Sequence, residues 1–214
     1  MGRKTIVFDL DDTLVKEIDY LKSAFFEIAV QLDISNSGLF DEMFSWYKNK
    51  EDVFLNLERR YEKANVNYLK SLYRKHIPNL NSKSESRNLL VQLKKAGHFL
   101  GLITDGFSVT QRNKLQALDI EQLFDRIIIS EEFGSEKPCE KNFLTFHELG
   151  TKEYFYIGDN VSKDFITPNK LGWTTVCLLN NGENIHIQDF VTDGLYLPFK
   201  KIHSLTELPE LIKK

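Results

Sequence analysis

The sequence predicts an α/β fold: a parallel sheet covered by helices on both faces, with a small all-helical bundle inserted after the first strand. Three observations lead there. Short apolar runs alternate with helical patterns after Pro78, which is the signature of strands joined by crossover helices. The stretch 16–78 shows only helical periodicity. The first apolar run, "TIVF" at Thr5–Phe8, is continuous rather than alternating, as in a strand buried on both faces.

The elements follow in order. After "TIVF", the positions Leu21, Ala24, Phe25, Ile28, Ala29 and Leu32 recur at helical spacing. "LFDEMFSWY", "VFLNLERRY" and "YLKSLYRKHI" repeat the pattern, and Pro78 ends it, so 16–78 reads as four helices. The aromatic residues Phe25, Phe26, Phe44, Trp46 and Tyr47 are expected mainly in the core of that bundle. "NLNSKSES" is a polar linker, and "SESRNLLVQLKKAG" is a helix with serines as caps and Gly97 as its stop. Strands are predicted at "HFLGLIT", "RIIIS", "EYFYIG" and "TTVCLL", with helices over "SVTQRNKLQALDI" and near "EKNFLTFHELG" and "DFITPNKLG". "LYLP" reads as a last short strand and "SLTELPELIKK" as a closing helix. The expected boundaries are a core from 1–15 and 79–214 and a helical unit from 16–78.

Composition narrows the class. The chain has 214 residues, 42% hydrophobic and 28% charged, enough for a real core with an insert. A net charge of −3 with both signs interspersed leaves no basic field for nucleic acid. No apolar run nears the roughly 20 residues of a membrane helix. The start "MGRKTIVFDL" lacks a signal-peptide pattern, and Ile6 stands where a myristoylation motif wants Ser or Thr. Two cysteines, Cys139 and Cys177, suggest no disulfide framework, and the expectation is a cytoplasmic protein.

In parallel sheets the ligand site lies at the carboxyl ends of the strands. The first predicted strand is followed by "DLDDT", the second by "TDG", the third by a segment holding Lys137, and the fourth by "GDNVSKD" with Asp159 and Asp164. Such a set of carboxylates is costly unless offset, because like charges repel and desolvation adds to the penalty. All-oxygen ligation favours a hard divalent ion, with Mg2+ the best fit if it also bridges to a phosphate. Lys137 can hold a phosphoryl oxygen as a point charge, and Thr104 with the backbone N–H groups after it can hold another. The residues therefore point to phosphoryl transfer dominated by positioning and charge stabilisation.

The ordered set "FDLDDTL", "TDG", "EKP" and "GDNVSKD" resembles the four motifs of the haloacid dehalogenase superfamily, and the resemblance covers essentially the whole chain. It implies a Rossmann-like three-layer core, with 16–78 as a mobile α-helical cap. By motif position Asp9 resembles the nucleophile that forms a phosphoaspartate. Asp11 resembles the general acid and then base, with its backbone carbonyl as a metal ligand. Thr104, Asp105, Gly106 and Lys137 resemble the phosphoryl-binding set. Asp9, Asp11, Asp159 and Asp164 resemble the Mg2+ site, with Asp164 either ligating directly or supporting the shell and the lysine. Asp12 resembles the residue that shapes the turn. An aspartate two residues after the nucleophile favours phosphoesters over haloacids.

The resemblance implies a Mg2+-dependent phosphatase of a small phosphorylated metabolite, with sugar phosphates, nucleoside monophosphates and sialic-acid-type phosphates all open, acting as a monomer or homodimer. A phosphomutase of the same family, a phospho-receiver domain and a partner-binding relative remain alternatives. Strand-end aspartates also serve as turn formers and helix caps, Thr104 suits a strand by itself, and Lys137 suits a solvated loop. No metal-ligand spacing links the five histidines, and Cys139 has no evident His partner. Lys16, Tyr20, Lys48 and Arg59 are open as contacts from the helical unit to a substrate.

Overall fold

The structure, a computed structural model, describes residues 2–80 and 85–213. The middle of the predicted polar linker therefore lies outside the described residues. In chain order the elements are β1 (Thr5–Phe8), α1 (Glu17–Leu32), α2 (Leu39–Lys48), α3 (Val53–Arg60), α4 (Val66–Lys75), α5 (Glu85–Lys95), β2 (Phe99–Thr104), α6 (Ser108–Ala117), β3 (Arg126–Ile129), α7 (Ser130–Phe133), α8 (Glu140–Leu144), β4 (Tyr154–Gly158), α9 (Ile166–Lys170), β5 (Thr174–Leu178), β6 (Lys200–Ile202) and α10 (Leu208–Lys213).

The strands form one parallel sheet in the order β3-β2-β1-β4-β5-β6. Successive strand residues face opposite ways, and the two faces build separate cores. Ile6, Phe8, Leu100, Leu102 and Ile157 pack against Leu89, Leu90 and Leu93 of α5, Leu115 of α6 and Ile212 of α10. Val7, Ile103, Tyr156 and Cys177 pack against Phe143, Phe146, Phe165 and Trp173. This is the three-layer arrangement the alternating pattern predicts. The chain leaves β1 for β2 and β3 on one side and returns to β4 on the other, so the topological switch lies between β1 and β4, where such sheets bind ligands.

Close packing leaves no room at Gly101 on β2. A Cβ there would lie 2.2 Å from Cε1 of Phe146. Gly101→Ala is expected to destabilise the fold by about 1–3 kcal/mol through overpacking. Urea unfolding should show this as a lower midpoint at unchanged m.

Helices α1–α4 share a third core of Leu21, Phe25, Ile28, Leu39, Met43, Leu57 and Leu69. Asp52 caps α3 by accepting from the Leu55 N–H, and Asn65 caps α4 by accepting from the Tyr68 N–H. The end of α4 is tied to α6: Thr110 Oγ1 donates to the Arg74 carbonyl at 3.0 Å, and Asn113 Nδ2 donates to those of Lys75 and His76. Among the described residues no helix is long and apolar enough to cross a membrane.

Two expectations are corrected. The last strand is Lys200–Ile202, not "LYLP": Asp193 caps a 3-10 turn at Gly194–Tyr196, and Lys200–Ile202 instead pairs with Val176–Leu178. Phe26 is not core. It stands about one helical step off the stripe that Phe25 occupies, is 60% exposed, and meets Phe40 edge-on.

Candidate active site

Asp9 follows β1 directly, so its carboxyl sits at the switch point, 6% exposed. Lys137, on the segment after α7, reaches it from the neighbouring loop. Its ammonium donates to Asp9 Oδ1 at 2.6 Å, to Asp164 Oδ1 at 2.7 Å and to the Tyr156 hydroxyl at 3.2 Å. The Asp164 carboxylate is fully used. Oδ1 takes Lys137 and Tyr156, and Oδ2 takes the N–H groups of Asp159 and Asn160 at 3.1 and 2.8 Å. Gly158 makes this possible, since a Cβ there would lie 2.4 Å from Asp164 Oδ2.

Carboxylate oxygens of Asp9, Asp159 and Asp164 lie within 4.8 Å of one another. The electrostatics match that crowding. Burial pushes Asp9 up to about 7 against the lowering pull of Lys137, with Asp164 and Asp11 adding to the rise. Burial, then Asp9 and Asp164, pushes Asp159 up to about 8. Burial pulls Lys137 down, but Asp164 and Asp9 outweigh it and hold the ammonium well above its ordinary pKa. One cation between two acids leaves the Asp159 side uncompensated. A hard, oxygen-seeking divalent ion fits this donor set.

Asp11 is turned elsewhere. Its Oδ1 pairs with Lys114 Nζ at 2.5 Å and its Oδ2 accepts from Gln111 Nε2 at 2.8 Å, both from α6. Of the four predicted metal ligands, the structure thus brings three side chains together, while the Asp11 carboxylate is engaged by Lys114 and Gln111. Asp12 shapes the turn as expected. It has φ 54°, and its carboxylate accepts from the N–H groups of Glu17 and Ile185.

Thr104 ends β2 with Oγ1 accepting from Gln111 at 2.5 Å. Asp105 is an anchor: Oδ1 accepts from the Lys137 N–H and Oδ2 from Lys163 Nζ at 2.7 Å. The Gly106 N–H donates to Ser130 Oγ. Its φ of +135° is a conformation that L side chains rarely adopt.

Asp9, Asp11, Glu17, Thr104, Asp105, Asp159 and Lys163 line a polar cavity of about 110 Å³. It shares Asp11, Glu17 and Asp105 with a second cavity of about 190 Å³ between α1, α4 and α6. Of the four residues left open, Tyr20 lines the second cavity. Lys16 instead donates to Asn181 and Asn184, Lys48 lies over the Phe44 ring, and Arg59 is exposed.

Sequence reasoning missed Gln111, Lys114, Glu17, Lys163, Asn184 and His186. A signal existed for two of them. Thr110, Gln111, Lys114 and Leu115 are the buried stripe of α6, so polar residues stand where a plain covering helix carries apolar ones. Asn184, which donates to Asp159 Oδ2 at 2.9 Å, and His186, which lines the first cavity, lie in an aperiodic loop.

A family model described as Haloacid dehalogenase-like hydrolase matches residues 6–178. The glyceraldehyde 3-phosphate phosphatase of Methanocaldococcus jannaschii is 29% identical, with 98% of this chain and 97% of that protein covered. That of Methanopyrus kandleri is 32% identical, with 81% of this chain and 82% of that protein covered. The crystal structure of the magnesium-bound HAD-hydrolase YfnB from Bacillus subtilis has a TM-score of 0.68 at 18% identity, covering 100% of both chains, a likeness of fold. This chain belongs to the haloacid dehalogenase-like hydrolases. Within them it is a hydrolase of the phosphatase kind.

Proposed function

We propose that the protein is a Mg2+-dependent phosphatase of small sugar phosphates, of triose-phosphate size, working through an aspartyl phosphate on Asp9. The observation that carries this is the Lys137 ammonium held between Asp9 and Asp164, beside the uncompensated Asp159, with Asp9 and Asp159 lining a small polar cavity. Relatives such as those of Methanocaldococcus jannaschii and Methanopyrus kandleri bear the name glyceraldehyde 3-phosphate phosphatase, and the modest second cavity suits a substrate of that size.

Asp9, Asp159 and the main-chain carbonyl of Asp11 would hold the ion, with Asp164 supporting Lys137 and the loop. Bound Mg2+ supplies positive charge to the attacking carboxylate and the phosphoryl oxygens. Lys137 and the Thr104 hydroxyl hold phosphoryl oxygens in line for attack by Asp9. Asp11, at the junction of the two cavities, protonates the departing alkoxide. It then takes a proton from the water that hydrolyses the acyl phosphate. Helices α1–α4, within 16–78, serve as the cap that excludes bulk water and reads the leaving group.

A phosphate-release assay over sugar phosphates, nucleoside monophosphates and larger esters tests the reading. Release is expected from triose phosphates above hexose phosphates and nucleotides, without an added bisphosphate, and chelation is expected to abolish it until Mg2+ is restored. Equal release under chelation would refute the metal assignment. The ion should also act on stability. Acids raised in the folded state stabilise it below their unfolded pKa, and that stability is lost as pH rises through the folded value. The metal-free protein should therefore lose melting temperature between about pH 4 and pH 8 as Asp9 and Asp159 ionise, and Mg2+ should recover most of it at the upper end.

A further inference from the structure

We propose that Arg74 binds a carbonyl-type oxygen, aldehyde or carboxylate, on the leaving group. The preferred substrates are then phosphomonoesters of small hydroxy-aldehydes or hydroxy-acids rather than of polyols. The inference rests on the phosphatase reading, which puts the departing oxygen beside Asp11 and so directs the rest of the substrate into the second cavity.

Arg74 lies in the last turn of α4, half-buried, and lines that cavity with Asp11, Tyr20 and Lys114. Its guanidinium carbon is 3.7 Å from the centroid of the Phe107 ring, on the turn that leads into α6. Stacking fixes the guanidinium plane and leaves its N–H edges for a ligand. The Thr110 hydroxyl, bonded to the Arg74 carbonyl, holds this end of α4 against α6.

Among the described residues the Arg74 guanidinium makes no hydrogen bond and no ion pair. Arg3, Arg60, Arg87, Arg112 and Arg126 each donate to a carbonyl or carboxylate, and Arg59 stands exposed on α3. The other cation in the cavity, Lys114, is engaged by Asp11. A planar fork of donors thus lines the cavity with no protein acceptor on it, and a ligand oxygen can take the place of solvent there. An acceptor-only oxygen complements a donor-only group, and a carboxylate can take two parallel bonds from it. A cavity of about 190 Å³ has room for about six water-sized groups, at ~30 Å³ each, which limits the skeleton to a few carbons.

The test compares wild type, Arg74→Ala and Arg74→Lys on glyceraldehyde 3-phosphate, 2-phosphoglycolate and glycerol 3-phosphate. In Arg74→Ala the ratio of kcat/KM for the carbonyl-bearing esters to that for glycerol 3-phosphate is expected to fall roughly ten- to hundredfold, mainly through KM, as loss of a charge-assisted hydrogen bond implies. Arg74→Lys should keep part of it. The ester that loses more identifies the oxygen as aldehyde or carboxylate. Ratios within about twofold of wild type in both variants overturn the assignment. Calorimetric binding of 2-phosphoglycolate and glycerol 3-phosphate to Asp9→Asn protein, with and without Arg74, reads the same discrimination without turnover. Absence of phosphate release from every ester would remove the phosphatase reading and still leave this binding arm to decide on Arg74, with equal affinities for the two esters overturning it.

Discussion

Asp9→Asn is expected to abolish phosphate release, by on the order of 10⁴-fold or more at saturating substrate, while leaving the protein folded. An amide nitrogen replaces one carboxylate oxygen at the switch point, and the remaining amide is too weak a nucleophile to form the covalent intermediate. The fold has little reason to suffer. The Asp9 N–H bond to the Ile157 carbonyl, at 2.8 Å, is untouched, and Lys137 keeps Asp164 at 2.7 Å. The substitution also removes a carboxylate that burial holds up at about 7. The metal-free variant should therefore melt at or above the wild-type temperature near pH 8, and it should gain less from Mg2+. Phosphate release together with thermal melts separates the two effects, and turnover near the wild-type rate would remove Asp9 from the nucleophile's role.

Lys137→Met is expected to cost both activity and stability. The Lys137 side chain is 1% exposed and joins two carboxylates that are 8% and 0% exposed. Removing one partner of a buried ion pair destabilises by about 3–5 kcal/mol, because the charge left behind has neither water nor counter-ion. At roughly 2–4 °C per kcal/mol for a chain of this size, the melting temperature should fall by on the order of 10 °C. The sign of the pH dependence follows from Asp9. Lys137 lowers its pKa, so without the lysine the folded value rises further, and more stability is lost as pH climbs through it. The gap between variant and wild type should be smaller near pH 4, where Asp9 is protonated and only the Asp164 pair is lost, and widest above about pH 8. A gap that stays constant over that range would mean that the lysine does not govern Asp9.

The sheet was legible because its central strands are buried on both faces. Val7, Ile103, Tyr156 and Val176 stand in short apolar runs that leave only one assignment once helices alternate with them. The acids were legible for a related reason: Asp9 and Asp159 directly follow such runs, and both are buried. β6 was hidden because Lys200 and Lys201 are exposed at the sheet edge and carry no apolar signal, whereas "LYLP" does. Lys114 and Gln111 were hidden by distance, since their partner Asp11 lies about a hundred residues away and only the register of α6 against β1 brings them together. The loop after β5 was hidden for want of any period, although Ile185 and Asn184 bind Asp12 and Asp159. In each case the missing information was a tertiary contact between polar groups, which hydrophobic patterning does not encode.

In the proposed mechanism phosphorus is passed to Asp9 on its way to water. Rapid acid quenching of wild-type enzyme during turnover, followed by proteolysis and mass mapping, tests it most directly. A phosphorylated peptide spanning Ile6–Val15 is expected, with the modification on Asp9 and absent from Asp9→Asn. Label on any other residue, or hydrolysis at the full rate with no phosphoenzyme formed, would contradict it.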